Sequence, residues 1–409
     1  MTRPTVVLLG TLDTKGGEYE FVRERLHAAG VDTVVVDAGV LGEPAFLPDV
    51  AREEVSAAGE ADLSALRRAG DRGAAVTAMA AGAAAVVDRL RRDGRCDGAL
   101  ALGGTGGTSL ASHAFRVLPL GIPKLIVSTA ASGDTRAYVG ESDLMLMPSV
   151  VDVAGVNRIS AQILGNAADA MAGMVTSAPV SWPDTASLIA ASMFGVTTPC
   201  VDHARSLLSD HGYEVLVFHM TGVGGATLEA LAAEGYLSGV LDVTTTELAD
   251  ELVGGVFSAG PDRLTAAGRA GIPQVVSVGA LDMVNFGPRE TVPDRFAERN
   301  LFVHNPSITL MRTTPEECEQ LGTRVATRLS RSSGPVTLFL PLRGVSALAV
   351  EGAPFHDPAA DQALFDAIRA HVDRSVVDVV ELDLAVNDEA FSAAMADRLH
   401  EYLSTRGTS

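Results

Sequence analysis

The amino-acid sequence predicts an α/β protein built from two Rossmann-like, doubly wound subdomains with mostly parallel sheets. Short, continuous apolar runs alternate with helix-like stretches from the first residues onward, as in parallel sheets covered by helices on both faces. The 409 residues exceed what one hydrophobic core usually organises, and the alternation starts again after a proline-containing segment. These observations predict two lobes of the same class.

The first lobe is predicted from strand and helix patterns that follow one another closely. Arg52, Glu53 and Glu54 predict a solvated helix face after the second strand. Continuous apolar runs predict strands over residues 6–9, 33–36, 98–102 and 124–127, with an edge strand within 144–153. Periodic or alanine-rich stretches predict helices over residues 17–29, 74–92, 109–115 and 156–175.

The predicted boundary between the lobes is the segment from Pro179 to Pro183, whose two prolines bracket the only tryptophan. We therefore expect a nucleotide-binding subdomain over residues 1–180 and a second subdomain, carrying a substrate site, over residues 184–409. A strand, a helix and a strand are predicted again over 188–194, 200–210 and 214–218. No constant spacing relates the two halves, so we expect related lobes with different insertions and not a solenoid.

The composition favours a compact protein with a strongly acidic surface. The chain has 31 Lys and Arg against 51 Asp and Glu, a net charge of −20, which opposes binding to nucleic acids and anionic membranes. Its three cysteines share no CxxC spacing, which predicts reduced thiols. The N-terminal apolar run is too short for a signal peptide, and the alanine-rich stretch over 74–87 is too short to cross a bilayer. We expect a cytoplasmic protein.

The most informative motif is Gly103-Gly104-Thr105-Gly106-Gly107-Thr108, which lies between a predicted strand and a predicted helix. Glycines let the backbone approach a phosphate, and the free amides and dipole of a helix N-terminus attract an anion. The motif is neither GxxxxGK[ST] nor a clean GxGxxG, so it names no particular ligand. Taken alone, it fits a tight packing turn about as well as a phosphate site.

Two further turns, over residues 10–15 and 128–134, follow strands of the same predicted sheet. Because the carboxyl ends of parallel strands lie along one edge, we expect all three turns to border one nucleotide site. Lys15 would neutralise a terminal phosphate, and Asp37 would accept a hydrogen bond from a ribose hydroxyl. Asp13 and Asp134 would hold Mg²⁺ through water. Helix capping by both aspartates and an ordinary surface position for Lys15 are the alternatives. The predicted nucleotide contacts are Gly10, Thr11, Asp13, Lys15, Asp37, Gly103, Gly104, Thr105, Gly106, Gly107, Thr108, Ser128, Thr129, Ser132 and Gly133.

In the second lobe, polar groups follow several apolar runs. Glu247, Asp282, His304 and Arg312 each lie at or just beyond such a run. If they converge, they offer acid-base, metal-binding and anion-binding groups to a substrate that faces the nucleotide across a cleft. The alternative is that these groups pair with one another and stiffen the lobe. No HExxH spacing supports a zinc site.

Long strings in both lobes resemble a family formed by the N-terminal ATP-binding region of the tomato mosaic virus resistance protein and its uncharacterised bacterial and fungal relatives. The resemblance covers nearly the whole chain. In the first lobe it is carried by GTLDTK at residues 10–15, LGGTGGTSL at 102–110, IVSTAASG at 126–133 and YVGESDLMLMPSVVD at 138–152. In the second lobe it is carried by FGVTTPCV at 194–201, TGVGG at 221–225, LDVTTTE at 241–247, GALDMVNFGP at 279–288 and LMRTT at 310–314.

The resemblance implies two Rossmann-like subdomains, a homodimer, and ATP with Mg²⁺ held largely by the first subdomain. It places the nucleotide contacts on the GTLDTK, GGTGGT and STAASG positions. Many relatives continue into a TIM-barrel domain, so we expect any barrel-dependent activity to come from a separate partner polypeptide or to be absent.

Three functional hypotheses remain open at this point. The first is an ATP- and Mg²⁺-binding protein whose nucleotide state controls its shape or its partners. The second is an ATP-dependent ligase or kinase that activates a small carboxylate or hydroxyl metabolite between the lobes. The third is an NAD-dependent oxidoreductase, which is disfavoured because the glycine motif follows a mid-sheet strand and does not open the first βαβ unit.

Overall fold

The computed structural model describes residues 3–178 and 186–406, so the predicted boundary at Pro179–Pro183 lies outside the described residues. The chain divides into two compact units, Met1–Ser181 and Trp182–Ser409. Each unit contains a parallel sheet with alternating helices, which confirms the predicted class of two doubly wound α/β subdomains.

The first unit is built on a five-stranded parallel sheet in the order β2-β1-β3-β4-β5. Its strands are β1 (Thr5–Gly10), β2 (Asp32–Asp37), β3 (Gly98–Gly103), β4 (Lys124–Ser128) and β5 (Met145–Pro148). Its helices are α1 (Leu12–Ala28), α2 (Arg52–Ala58), α3 (Leu63–Ala69), α4 (Arg72–Arg92), α5 (Thr105–Phe115), α6 (Arg136–Val139) and α7 (Arg158–Thr176).

Alternating apolar residues on the strands fill two cores, one on each face of this sheet. Val6 and Leu8 of β1 pack with α1 and α7, while Val7 and Leu9 pack on the opposite face with α2, α4 and α5. Since α1 covers one face and α2 and α4 cover the other, the chain crosses between the faces after β2. In sheets of this order, ligands bind where the order reverses, between β1 and β3.

Helix α4 extends the predicted alanine-rich helix to 21 residues. Within the described residues, it is the one helix that is long and apolar enough to cross a membrane, and half of its apolar window is buried inside the protein. Met79, Ala83 and Val87 lie in the core beside the sheet. This burial accounts for the composition of the helix.

The second unit repeats the same order around its own first strand, with one additional strand. Its parallel sheet runs β14-β13-β9-β8-β6-β7. Its strands are β6 (Leu188–Met193), β7 (Glu214–His219), β8 (Gly239–Thr244), β9 (Gln274–Gly279), β10 (Met283–Phe286), β11 (Leu301–Asn305), β12 (Ile308–Arg312), β13 (Val336–Pro341) and β14 (Val377–Leu382). Its helices are α8 (Thr198–Asp210), α9 (Val223–Ala233), α10 (Glu247–Val253), α11 (Ala266–Arg269), α12 (Pro315–Leu329), α13 (Pro358–His371) and α14 (Glu389–Arg406).

Strands β10, β12 and β11 form a separate antiparallel sheet between β9 and β13. This insertion distinguishes the second unit from the first. It also carries His304 and Arg312, which therefore do not lie at the carboxyl ends of the parallel strands.

Candidate nucleotide site

A cavity of about 560 Å³ opens at the carboxyl edge of the first sheet, where the strand order reverses between β1 and β3. We call it the switch-point cavity. It is lined by Thr11, Asp13, Thr14, Lys15, Ala38, Val40, Leu41, Leu66, Gly70, Asp71, Arg72, Ala75, Val76, Met79, Gly104, Gly106, Gly107, Leu110 and Asp152. The predicted 10–15 and 103–108 turns therefore do border one space.

The N-terminus of α5 forms one wall of this cavity. The helix begins at Thr105, inside the glycine motif, and no side chain caps it. The amides of its first turn have no acceptor within the helix. Gly104, Gly106 and Gly107 line the cavity, so this wall presents unused N–H groups and the positive end of the helix dipole to whatever enters.

Two cationic side chains lie on the same cavity. The Lys15 ammonium donates one hydrogen bond to the backbone carbonyl of Val153 and keeps two further N–H groups. Sequence reasoning missed Arg72, in the first turn of α4, which has no hydrogen-bond or ion-pair partner among the residues that the structure describes. Its Nη2 lies 3.5 Å from the point that a Cβ on Gly106 would occupy. The guanidinium is therefore beside the open helix terminus.

We call the part of the cavity beside the α5 terminus and Arg72 its polar end. The lining also includes apolar side chains, those of Val40, Leu66, Val76, Met79 and Leu110, and Val76 Cγ2 lies 3.9 Å from the point that a Cβ on Gly106 would occupy. A cavity that combines free amides and cations with aliphatic side chains suits a ligand with an anionic group joined to a flat or apolar one.

Asp13 and Asp37 are held by protein groups around Arg52. Asp37 is completely buried, and it accepts from the amides of Leu12 and Gly39 at 3.1 and 2.9 Å and from Arg52 Nε at 2.7 Å. The Asp37 carboxylate thus fastens the turns after β1 and β2, and we leave it out of the ligand contacts. The prediction that Arg52 lies on a solvated face is wrong, because it is 3 % exposed and neutralises this carboxylate.

Asp13 does not cap its own helix. One carboxylate oxygen, Oδ2, accepts from the amides of Leu41 and Gly42 at 3.0 and 3.2 Å, which fixes the loop after β2. The other oxygen, Oδ1, is buried without a hydrogen-bond partner among the described residues. Asp13 also lines the cavity, but its side chain is 3 % exposed and lies 3.9 Å from Arg52 Nη1, and Oδ1 itself is enclosed by protein atoms.

Gly10 and Thr108 have structural explanations of their own. A Cβ on Gly10 would lie 2.1 Å from the ring of Tyr19. The Tyr19 hydroxyl donates a hydrogen bond to the Leu9 carbonyl and accepts one from the Leu102 amide at 2.8 Å. This hydroxyl joins β1 and β3 at the point where they diverge. Thr108 is buried and shares a 2.6 Å hydrogen bond with Ser128. Gly10, Thr108 and the Ser128 hydroxyl therefore have structural roles, because they hold together the strands and turns that form the site.

A second cavity, of about 450 Å³, opens at the carboxyl ends of β4 and β5. Thr129 and Ser132 of the predicted 128–134 turn line it, while Gly133 does not. We call it the hydroxyl cavity, because its lining is Ser128, Thr129, Ser132, Ser149, Val150, Val151 and Asp152. Asp152 lines both cavities, and it was not among the residues predicted for the site.

The two aspartates predicted to bind Mg²⁺ differ in their fit. Asp134 is exposed and makes an ion pair with Arg136 at 2.7 Å, which lowers the pKa of its carboxyl to about 2, and it lines neither cavity. Asp13 Oδ1 is the unpartnered acceptor described above. Within residues 3–178 and 186–406, no group of three His, Cys, Asp or Glu side chains is arranged to hold a metal ion. Of the predicted pair, only Asp13 lines the switch-point cavity.

The second unit also has a glycine-rich turn, between β7 and α9, and this turn is occupied by the protein itself. Glu247 is completely buried and accepts from the amides of Gly222 and Gly225 at 2.8 and 3.1 Å. A Cβ on Gly225 would lie 1.8 Å from the Glu247 carboxylate, so glycine is required there. Arg263 Nε donates to the same carboxylate at 2.7 Å. This turn therefore already holds an internal anion.

Arg263 organises a buried network that the sequence did not reveal. Its guanidinium is fully buried and makes a two-pronged ion pair with Asp242 at 2.6 and 2.7 Å, besides its bonds to Glu247 and Glu229. Burial raises the pKa of Glu247, and Arg263 opposes that rise. Because Glu247 is engaged in this network, it is not a free acid or base. We assign it a structural role in the second unit.

Asp282 and Arg312 belong to a separate buried network. Arg312 pairs with Asp361 at 2.6 Å and donates to the Phe355 carbonyl at 2.8 Å. Asp282 accepts from Ser346 Oγ at 2.7 Å, and burial raises the pKa of its carboxyl to about 6. His304 is exposed on β11 and takes part in neither network. The four predicted residues of the second unit do not form one shared cluster.

The protein is therefore a two-unit, doubly wound α/β protein. Its first unit has an uncapped helix N-terminus that is open to a cavity. Comparison with known proteins agrees with the division into two units. The description "Uncharacterised protein family (UPF0261)" applies to both units, since the N-terminal domain of that family matches residues 4–179 and its C-terminal domain matches residues 186–403. The chain belongs to the UPF0261 family.

Two relatives illustrate the range of this family. A UPF0261 protein from Clostridium tetani is 49 % identical over 394 residues, covering 96 % of this chain and 98 % of the relative. The tomato (Solanum lycopersicum) ToMV resistance protein Tm-1 is 39 % identical over 421 residues, covering 97 % of this chain but 56 % of the tomato protein. The chain is thus a homologue of just over half of the tomato protein.

Solved structures add little. A UDP-N-acetylglucosamine 2-epimerase from Rickettsia bellii matches 67 % of this chain and 79 % of its own at 8 % identity, with a TM-score of 0.23. That similarity carries no argument about function.

Proposed function

We propose that the first unit binds ATP together with Mg²⁺ in the switch-point cavity. The observation that carries the proposal is the uncapped N-terminus of α5, which opens into the polar end of a cavity of about 560 Å³. The triphosphate accepts hydrogen bonds from the first-turn amides, and Lys15 and Arg72 neutralise it. The base and ribose would pack against the aliphatic side chains of the lining.

Mg²⁺ travels with the triphosphate, which supplies most of its oxygen ligands. Asp13 lines the cavity and has an unpartnered oxygen, Oδ1, which is enclosed in this structure; a shift of this side chain on binding would let Oδ1 accept a hydrogen bond from water bound to the ion. The bound ion would offset the repulsion between the triphosphate and the acidic surface of the chain.

The contrast between the two units supports this assignment. The glycine-rich turn before α9 holds Glu247, whereas the turn before α5 has no side-chain cap. An anionic ligand therefore meets free amides in the first unit and an internal carboxylate in the second. A dinucleotide is disfavoured, because the glycine motif follows β3, whereas a dinucleotide fingerprint would follow β1.

Gly106→Val tests the proposal. The new Cβ would lie 3.5 Å from Arg72 Nη2, so the valine side chain would project toward the guanidinium and the polar end of the cavity. Titration calorimetry of the full chain with Mg·ATP should detect binding to the unsubstituted protein and none to this variant. Gly173→Val is the matched control, because a Cβ at Gly173 meets open space on α7. Unchanged ATP affinity in a folded Gly106→Val protein would overturn the proposal.

A further inference from the structure

The hydroxyl cavity adjoins the polar end of the switch-point cavity. Thr129 Oγ1 lies 3.6 Å from the point that a Cβ on Gly104 would occupy, which places the 128–134 turn beside the first residue of the α5 terminus. Asp152 lines both spaces. A ligand in the hydroxyl cavity would therefore lie next to the phosphates of a nucleotide in its neighbour.

Three of the polar side chains on this cavity are free for a ligand. The side chains of Thr129, Ser132 and Asp152 have no hydrogen-bond partner within the part of the chain that the structure describes. The lining includes no Lys, Arg or His and one carboxylate. Such a lining favours neutral or cationic compounds with hydroxyl groups, and it repels anions.

The segment that carries Asp152 is held in a fixed shape. The Ser149 amide donates to the Ser128 carbonyl at 3.1 Å, and its hydroxyl donates to the Val151 carbonyl at 2.7 Å. Val150 lies between Ser149 and Val151 and adopts a φ of 64°, which is rare for a β-branched residue. Its side chain is 78 % exposed. A conformation of this kind persists where the surroundings fix it, often beside a functional group.

We propose that the hydroxyl cavity binds a small neutral or cationic hydroxyl compound, which receives the terminal phosphoryl group of ATP with Asp152 as the proton acceptor. This inference rests on the proposed function, since it needs ATP in the switch-point cavity. The substrate oxygen forms a bond to the γ-phosphorus, and the bond between that phosphorus and the β,γ-bridging oxygen breaks. ADP leaves with the bridging oxygen, and the hydroxyl proton moves to the Asp152 carboxylate.

The experiment uses the full chain with Mg·ATP and four probes, which are glycerol, ribitol, ethanolamine and glycerate. ADP formation is measured beside ³¹P NMR of the phosphorylated product. At least one of the first three compounds should accelerate ADP formation over water and appear as a phosphate ester, whereas anionic glycerate should not. Asp152→Asn should reduce this turnover about 100-fold or more, as loss of a general base does, with an unchanged ATP dissociation constant.

Asp93→Asn is the matched control, because Asp93 is exposed after α4 and lines neither cavity. If calorimetry shows no ATP binding to the unsubstituted protein, the proposed function fails and this inference falls with it. If ATP binds but no probe is phosphorylated, or if Asp152→Asn retains full turnover, the inference alone is overturned. If Asp152→Asn abolishes both turnover and ATP affinity, the inference is also contradicted, because Asp152 would then be needed to bind ATP.

Discussion

Arg72 gives the sharpest prediction about ATP affinity, because its side chain touches the proposed site without supporting the fold. Its guanidinium has no protein partner among the described residues and lies beside Gly106 at the α5 terminus. Arg72→Gln therefore removes one positive charge and leaves the hydrogen bonds of the framework unchanged. Helix α4 keeps its cap, since Asp71 accepts from the amide of Ala74 at 3.0 Å.

The expected loss follows from the exposure of Arg72. A hydrogen bond between charged groups contributes roughly 1.5–3 kcal/mol. The exposed side chain of Arg72 is screened by solvent, which places the effect near the lower end, about 1.5 kcal/mol. That free energy corresponds to about a tenfold rise in the dissociation constant of ATP. The loss should shrink at high ionic strength, because salt screens an exposed pair.

Titration calorimetry with Mg·ATP at two salt concentrations measures both effects. Arg95→Gln is the matched control, since Arg95 is also exposed and lines neither cavity. Equal affinities for the Arg72→Gln, Arg95→Gln and unsubstituted proteins would refute the placement of the phosphates beside Arg72.

Lys15→Ala should weaken ATP binding by roughly 1.5–3 kcal/mol and AMP binding much less, as the ammonium is proposed to contact the β- or γ-phosphate; equal losses for both nucleotides in calorimetry would place Lys15 elsewhere. Arg263→Met should destabilise the second unit by about 3–5 kcal/mol, because it leaves buried carboxylates unpaired, while ATP affinity stays unchanged. Denaturant unfolding measures this loss against Arg269→Met, whose ion pair is exposed, and equal stabilities would show that the network does not stabilise the unit. Burial raises the pKa of Asp250 to about 7, so the folded protein keeps a proton that the unfolded chain releases above about pH 4. Stability should therefore fall as the pH rises from about 4 to about 7, and Asp250→Asn should flatten that part of the melting-temperature profile; an unaltered slope would contradict this assignment.

The alternation of apolar runs predicted the doubly wound class because the central strands β3, β4, β8 and β9 are buried along their whole length, whereas the helices between them are buried on one face. Strand positions such as residues 98–102 were close to the observed β3 for this reason. Helix starts were less predictable. Helix α5 begins inside the glycine motif at Thr105, since glycines with ordinary φ values can join a helix. The antiparallel insertion was missed because the short runs over 283–286 and 308–312 have no signal that separates them from parallel strands.

The candidate site shows where sequence reasoning is limited by partner choice. Lys15 and the glycine motif were identified, because a motif at a strand end has a fixed place in the fold. Glu247 and Arg312 were expected to face a substrate, but each is buried with partners far away in the sequence. Arg52 was likewise predicted on a solvated face, because its buried partner Asp37 could not be identified from the sequence. Nothing local in a sequence reports which distant charge will neutralise a side chain.

The central claim is that the first-turn amides of α5 receive the phosphates, while the glycine-rich turn of the second unit does not. Amide hydrogen exchange of the full chain with and without Mg·ATP, read by mass spectrometry on peptides, tests this contrast directly. We expect exchange to slow in peptides that cover Gly104–Gly107 and to stay unchanged in peptides that cover Gly222–Gly225, where Glu247 already occupies the amides. Protection over 222–225 with none over 104–107 would contradict the account.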